Sequence, residues 1–265
     1  MIYSIQLLRF IASSFVVLSH CLQEFLLTSV GAFGVDIFFV LSGFIIMYVT
    51  QEDGHHFMTK RIARIVPLYW AFTLAIYVIW MHKPDLLNND LNLSKLITSL
   101  AFLPPLDGST DRPVLPLGWT LNFEMYFYVC FWLALKISHR LRDLWATIIM
   151  AAILVIGKFG LLPKFMNFYA DPIIFEFTMG MFAMRLATGG FVSFTRPLSI
   201  QLVVLILTGT LVVTILVDLF MKVGDLRFVI FGPLAFLLLL ATLRLETSVR
   251  HRRWALSLGD TSYCL

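Results

Sequence analysis

The chain has 265 residues, of which 59% are hydrophobic and only 14% charged, and its mean hydropathy is +0.87. So few charges could not cover the surface of a soluble globular protein of this length, which excludes that class. The net charge of +4 is spread over the loops. No basic surface interleaved with aromatic residues accompanies it, so nucleic acid is excluded as a partner.

Apolar stretches of about 20 residues cross a hydrocarbon core of about 30 Å. Such stretches fall at 5–27, 33–50, 66–82, 117–136, 144–162, 171–188, 199–221 and 226–243, and another begins near Trp254. The first is too long, and too polar at its start, for a cleavable signal peptide, and no small-residue cleavage site follows it. Between the third and fourth lies a loop, 82–116, rich in Pro and Asn. Its segment Leu96 to Leu103 is apolar but too short to span, which predicts an interfacial or re-entrant helix. No linker or fixed-period repeat divides the chain. The expectation is an all-α fold: a polytopic integral membrane helical bundle of about eight complete transmembrane helices plus a partial ninth, forming a single domain over 1–265. Cys21, Cys130 and Cys264 lie in apolar segments at unrelated spacings. They read as small packing residues, with no disulfide framework or metal site.

The loops set the expected orientation. Residues 51–65, 136–143, 185–198 and 244–253 carry +1, +2, +2 and +3, whereas 24–36, 82–116, 157–171 and 218–227 carry −2, −1, +1 and 0. The positive-inside bias places the first set and the N-terminus in the cytoplasm.

Against this background Arg9 and His20 in the first apolar stretch, Glu124 in the fourth and Glu176 in the sixth stand out as ionisable residues. Each costs roughly 3 kcal/mol or more at membrane depth, so such residues are usually paired, wet or functional. At 1.5 Å per residue, His20 lies roughly 23 Å along its outward-running span, while Glu124 and Glu176 lie roughly 9 and 8 Å below the outer surface. His20, Glu124 and Glu176 thus converge on one outer layer, and Arg9 stays near the cytoplasmic face. A His beside a carboxylate makes a general base, because the carboxylate orients the ring and stabilises the imidazolium. The plainer alternative is that His20 bonds a backbone carbonyl and that Glu176 anchors a neighbouring helix.

Basic residues gather at Lys60-Arg61-Ile62-Ala63-Arg64. Arg61 and Arg64, three apart, are neighbours on one face if this stretch is helical, and could grip a phosphorylated ligand bidentately. The plainer reading is a topology signal against anionic headgroups. Pro67 ends this loop helix or begins the third span. In Gly34 to Phe44, Gly43 beside Ser42 allows close helix approach, and no Gly-x-Ser-x-Gly elbow surrounds the serine. No phosphate loop, dinucleotide fingerprint or zinc-binding helix motif is present.

These residues carry a resemblance. Gln6-Leu7-Leu8-Arg9-Phe10-Ile11-Ala12 with Ser19-His20 is similar to the Arg-x10-His opening of the bacterial acyltransferase-3 family of integral membrane O-acyltransferases. Gly34 to Phe44 resembles that family's second-helix block, and Arg61-Ile62-Ala63-Arg64, with Ile65, Pro67 and Tyr69, its Arg-x-x-Arg motif. Gly118 to Tyr128 resembles its Trp-x-Leu-x-x-Glu-x-x-Phe-Tyr block, Phe175-Glu176-Phe177 with Gly180 a further block, and Leu258 to Tyr263 the start of its penultimate helix. The wording is nearest the branch that acetylates exopolysaccharide.

The resemblance implies a multi-pass protein of the bacterial inner membrane that moves an acetyl group from cytoplasmic acetyl-CoA, a donor substrate, to a hydroxyl of an exported polysaccharide or its lipid-linked precursor. No cofactor is permanently bound. His20 is then the catalytic centre, oriented by Glu124 or Glu176. Arg9 is a structural or donor-binding partner, and Arg61 and Arg64 hold CoA. The pantetheine arm reaches through the bundle to the His20 layer. Direct attack and an acetyl-histidine intermediate both stay open. The rival class is a transporter or flippase for a glycan or lipid-linked intermediate, which would commonly show repeat symmetry and broken spans that this sequence lacks. In the family a Ser-Leu-Tyr-Leu-x-His continuation and a tenth helix follow, whereas this sequence stops at Leu265. That reads as a truncated member. Its residues 254–265, roughly 18 Å of helix, are too short to cross, and it could be inert.

Overall fold

The computed structural model describes residues 2–22, 25–51, 54, 56–84, 91–106, 112–189, 199–221 and 227–246. The expectations for 254–265 and for Cys264 lie outside the described residues. Every regular element among the described residues is helical: α1 (Tyr3–Leu22), α2 (Phe25–Val49), α3 (Phe57–His82), α4 (Leu93–Leu100), α5 (Trp119–Ile137), α6 (Arg142–Lys158), α7 (Phe175–Thr188), α8 (Ile200–Met221) and α9 (Arg227–Leu243). Among the described residues, three stretches are long and apolar enough to cross a membrane: Tyr3–Cys21, Val30–Val49 and Phe57–His82. Ile200–Leu216 and Phe228–Leu243 are apolar but shorter.

The chain divides into two compact units, one made of Met1–Tyr48 with Phe175–Leu265 and the other of Val49–Ile174. In the first unit, glycines on α2 set the packing. A Cβ on Gly34 would lie 2.8 Å from the carbonyl oxygen of Ala12 and 3.0 Å from Cγ2 of Val16, and a Cβ on Gly31 would overlap the Ser19 side chain. Further along α2, Gly43 abuts the backbone of Phe177 while Gly180 of α7 abuts that of Val40. Phe39 stacks on Phe177 at 4.7 Å across the same crossing. The expectation that Gly43 permits close helix approach is met. α9 closes on α7 and α8, with Phe182 stacked on Phe236 and a small core at Val203, Ala241 and Leu245. The first amides of α1 are satisfied from the far end of the chain. Tyr3 N and Ser4 N donate to the two carboxylate oxygens of Glu246 at 3.1 and 2.8 Å, a charge-assisted cap at a positive helix end.

Two expectations are corrected here. Residues 25–36 are helix and not loop, because α2 begins at Phe25. Asp36, counted above as an outer-loop charge, is wholly buried inside that helix. Gly31 and Gly34 serve helix approach. The sixth apolar stretch is also shorter as a helix than expected. A 3-10 turn at Pro172–Ile174 precedes α7, whose 14 residues put Glu176 in its first turn.

In the second unit, α3 runs unbroken through Pro67. The loop helix and the third span are therefore one element, and Arg61 and Arg64 belong to it. Proline leaves the Ala63 carbonyl without its helical donor, a cost that long membrane helices tolerate. α4 starts at Asn92, whose side chain accepts from Lys95 N at 2.7 Å, and docks on α3 through Trp70 Nε1 donating to Leu100 O at 2.8 Å. The expected short helix in this loop is present. Phe102 follows it at φ 56°, a left-handed backbone held by the Tyr169 hydroxyl donating to its carbonyl at 3.0 Å. Burial raises the Tyr169 hydroxyl well above its usual range. α5 and α6 form a hairpin whose core includes Phe127, Phe131, Ala134, Ala146 and Met150.

Candidate active site

His20 stands in the last turn of α1 and is exposed. Its Nδ1 lies 2.8 Å from the carbonyl oxygen of Val16 and 3.4 Å from Ser19 Oγ. A carbonyl can only accept, so Nδ1 carries the ring proton and Nε2 bears the lone pair. Among the described residues of its unit the ring is thus oriented by its own helix, with no hydrogen bond to Glu176. Ser19 Oγ donates to the same carbonyl at 2.8 Å. The bare Gly31 opposite lets Ser19 and α1 settle there.

Arg9 is eleven residues earlier on α1 and half-buried. Eleven residues are about three turns, so Arg9 and His20 project from one face of the helix about 16 Å apart. Glu176 is 0% exposed, and its Cγ would lie 3.3 Å from a Cβ on Gly232 of α9, so the absence of a side chain there makes its room. Asp36 on α2 is a second wholly buried acid in this unit. Its position in an unbroken apolar run was the signal that could have marked it.

The second unit gathers another cluster. Tyr128 of α5, 2% exposed, donates its hydroxyl to Glu124 Oε1 one turn earlier. Arg61 sits over the Tyr128 ring and over the Phe57 ring, its guanidinium carbon 5.8 Å from each centroid. Arg64 is exposed and, like Arg61 and Glu124, acts electrostatically on the Tyr128 hydroxyl. The sequence reckoning set Glu124 near the outer surface and the arginines at the inner rim. Because α3 starts nine residues before Val66 and α5 runs against it, with Phe57 beside Phe131 and Tyr69 beside Gly118, all three charges meet at Tyr128 instead.

A helical membrane protein offering a tautomer-fixed imidazole and a cluster of guanidinium groups has the parts for group transfer from an anionic donor. The chain belongs to the acyltransferase-3 family, whose model, described as an acyltransferase domain, matches residues 2–265. It is also 33% identical to the exopolysaccharide production protein ExoZ of Rhizobium meliloti (strain 1021) over 247 residues, covering 89% of this chain and 75% of that protein. No solved structure matches the chain.

Proposed function

We propose that the protein is an acyl-CoA-dependent O-acyltransferase of the bacterial inner membrane that acetylates a hydroxyl of an exported polysaccharide or of its lipid-linked precursor. The polysaccharide class is suggested by the name of the relative in Rhizobium meliloti. The observation that carries the chemistry is the Nδ1 contact of His20 with the Val16 carbonyl, which leaves Nε2 as the basic atom. In direct transfer Nε2 takes the proton of the sugar hydroxyl, and the oxygen bonds to the acyl carbonyl carbon. The carbon–sulfur bond of the thioester then breaks, and the imidazolium returns its proton to the departing CoA thiolate. Attack by Nε2 itself, through an acyl-histidine that the sugar then cleaves, uses the same free lone pair.

In this reading Arg61 and Arg64 hold donor phosphates, since guanidinium groups match phosphate bidentately. Glu124 works beside them through Tyr128. Glu176 supplies a buried carboxyl group in the unit that carries His20, and Arg9 supports the same helix face. The shorter helices complete a multi-pass bundle of about eight spans with a cytoplasmic N-terminus, as the loop charges imply.

Membranes containing the protein, supplied with radiolabelled acetyl-CoA, should incorporate label into glycan. His20→Ala should abolish that incorporation while the protein still inserts, because an exposed ring contributes little packing. Full transfer by His20→Ala would reject His20 as the catalytic base. Absence of transfer by the native protein would favour a transporter.

A further inference from the structure

Arg61 is placed in an unusual setting for a cation that is to meet an anion. Among the described residues its guanidinium has ring contacts and no hydrogen bond or ion pair. The two rings, Phe57 one turn earlier on α3 and Tyr128 on α5, stand edge to face with centroids 5.8 Å apart and planes at 89°. They form a corner around the cation. Phe57 and Tyr128 are 4% and 2% exposed, so neither ring can swing away, and Phe131 backs Phe57 at 5.4 Å. The Tyr128 hydroxyl donates to Glu124, which fixes the ring and feeds electron density toward the face that meets the cation.

We propose that Phe57 and Tyr128, with Glu124 pinning Tyr128, are positioning residues: an aromatic corner that holds the Arg61 guanidinium through ring contacts and keeps its N–H donors open for a phosphate of the acyl donor. This rests on the reading of Arg61 as a donor-binding residue. A salt bridge could hold the arginine as firmly, but it would use the same N–H fork that a phosphate needs. Ring contacts immobilise the cation and leave the fork available. The corner therefore acts on donor affinity, through Arg61, and on nothing later in the reaction. Glu124 acts as a hydrogen-bond acceptor, a role that an amide oxygen can also fill.

The test is a double-mutant cycle in membranes, reading KM for acetyl-CoA and kcat separately. Arg61→Ala should raise KM. Tyr128→Leu and Phe57→Leu should each raise KM by about three- to tenfold at unchanged kcat, the loss of one cation–ring contact. Tyr128→Phe, which keeps the ring, should recover most of the affinity, and Glu124→Gln, which keeps an accepting oxygen, should raise KM less than either leucine variant. The decisive arm is Arg61→Ala combined with Tyr128→Leu, whose KM should equal that of Arg61→Ala alone, because a residue that works through Arg61 has nothing left to position. If Tyr128→Leu does not accumulate, Phe57→Leu combined with Arg61→Ala reads the same cycle. Independent, multiplying effects would overturn the corner while leaving Arg61 as a donor ligand, and so would unchanged KM in both ring variants. An unchanged KM in Arg61→Ala would overturn the donor-binding reading and the corner with it.

Discussion

Gly43 of α2 and Gly180 of α7 each press against the backbone of the other's helix. A Cβ on Gly43 would lie 3.1 Å from Met181 N and closer still to the Phe177 carbonyl, and one on Gly180 would lie 2.8 Å from Phe44 N. Main-chain atoms cannot rotate aside as a side chain can, so a methyl on either glycine must push the helices apart. Close approach through small residues is the main source of helix association where lipid removes the hydrophobic drive. Gly43→Ala and Gly180→Ala should each destabilise the protein by about 1–3 kcal/mol, the range for overpacking. Thermal unfolding of the purified protein in detergent measures this. Native stability in both variants would show that the helices have room to separate at no cost.

The Glu246 cap on α1 leads to a gentler expectation. Its carboxylate takes the amides of Tyr3 and Ser4 and places a negative charge at the positive end of the helix that carries Arg9 and His20. Glu246→Ala should cost about 1 kcal/mol, as other helix caps do. Glu246→Gln, which keeps one accepting oxygen, should cost less. Faster hydrogen exchange confined to the first turn of α1 would be the local sign. Equal exchange in native and Glu246→Ala protein would mean that the cap contributes nothing.

At Phe102 the usual order of substitutions should invert. The residue is left-handed at φ 56°, yet its ring packs on Tyr69 at 4.6 Å, so packing there outweighs backbone strain. Phe102→Ala loses the ring and keeps the strain, and should cost about 3–5 kcal/mol. Phe102→Gly loses the same ring but relieves the backbone, so it should be more stable than Phe102→Ala by about 1 kcal/mol. Comparing the Tm values of the two variants decides it. An alanine variant as stable as the glycine variant, or more so, would contradict the strain argument.

The helices were legible because hydrocarbon demands long apolar runs, and the proposed α3 arginines because they interrupt the pattern with charge. Asp36 was not legible. It was counted as an outer-loop charge, whereas α2 already begins at Phe25, Gly31 and Gly34 mark contact surface, and the acid is buried with them. The partners of His20 and Glu124 were hidden for a different reason. His20 is held by a backbone carbonyl, the plainer alternative that the sequence left open, and no side-chain pattern reveals that the carbonyl is that of Val16. The meeting of Glu124 and Arg61 at Tyr128 depends on how α3 and α5 slide past each other, a register that the spacing within either helix does not contain. The two halves of the cluster were nonetheless written locally, since Phe57 with Arg61 and Glu124 with Tyr128 are each four residues apart, one helical turn.

The tightest link between packing and chemistry is the contact of Gly31 with Ser19, the residue before His20. An added methyl on Gly31 would overlap both Oγ and Cβ of Ser19. Since Ser19 Oγ and His20 Nδ1 share the Val16 carbonyl, displacing Ser19 disturbs the hydrogen bond that fixes the ring tautomer. Gly31→Ala should therefore lower the rate of acyl transfer by about tenfold or more, in the way small misplacements of a reacting group do, and should leave donor KM near native. Removing the obstacle should reverse the defect. Ser19→Gly deletes both overlapping atoms, so Gly31→Ala combined with Ser19→Gly should transfer faster than Gly31→Ala alone. The His20 bond to Val16 does not need the serine hydroxyl, so Ser19→Gly by itself should keep most of the activity. Rates from the label-incorporation assay, set against the amount of inserted protein, compare the three variants. A combined variant no faster than Gly31→Ala would mean that the methyl acts elsewhere on α2, and that the α1–α2 contact does not govern how His20 is held.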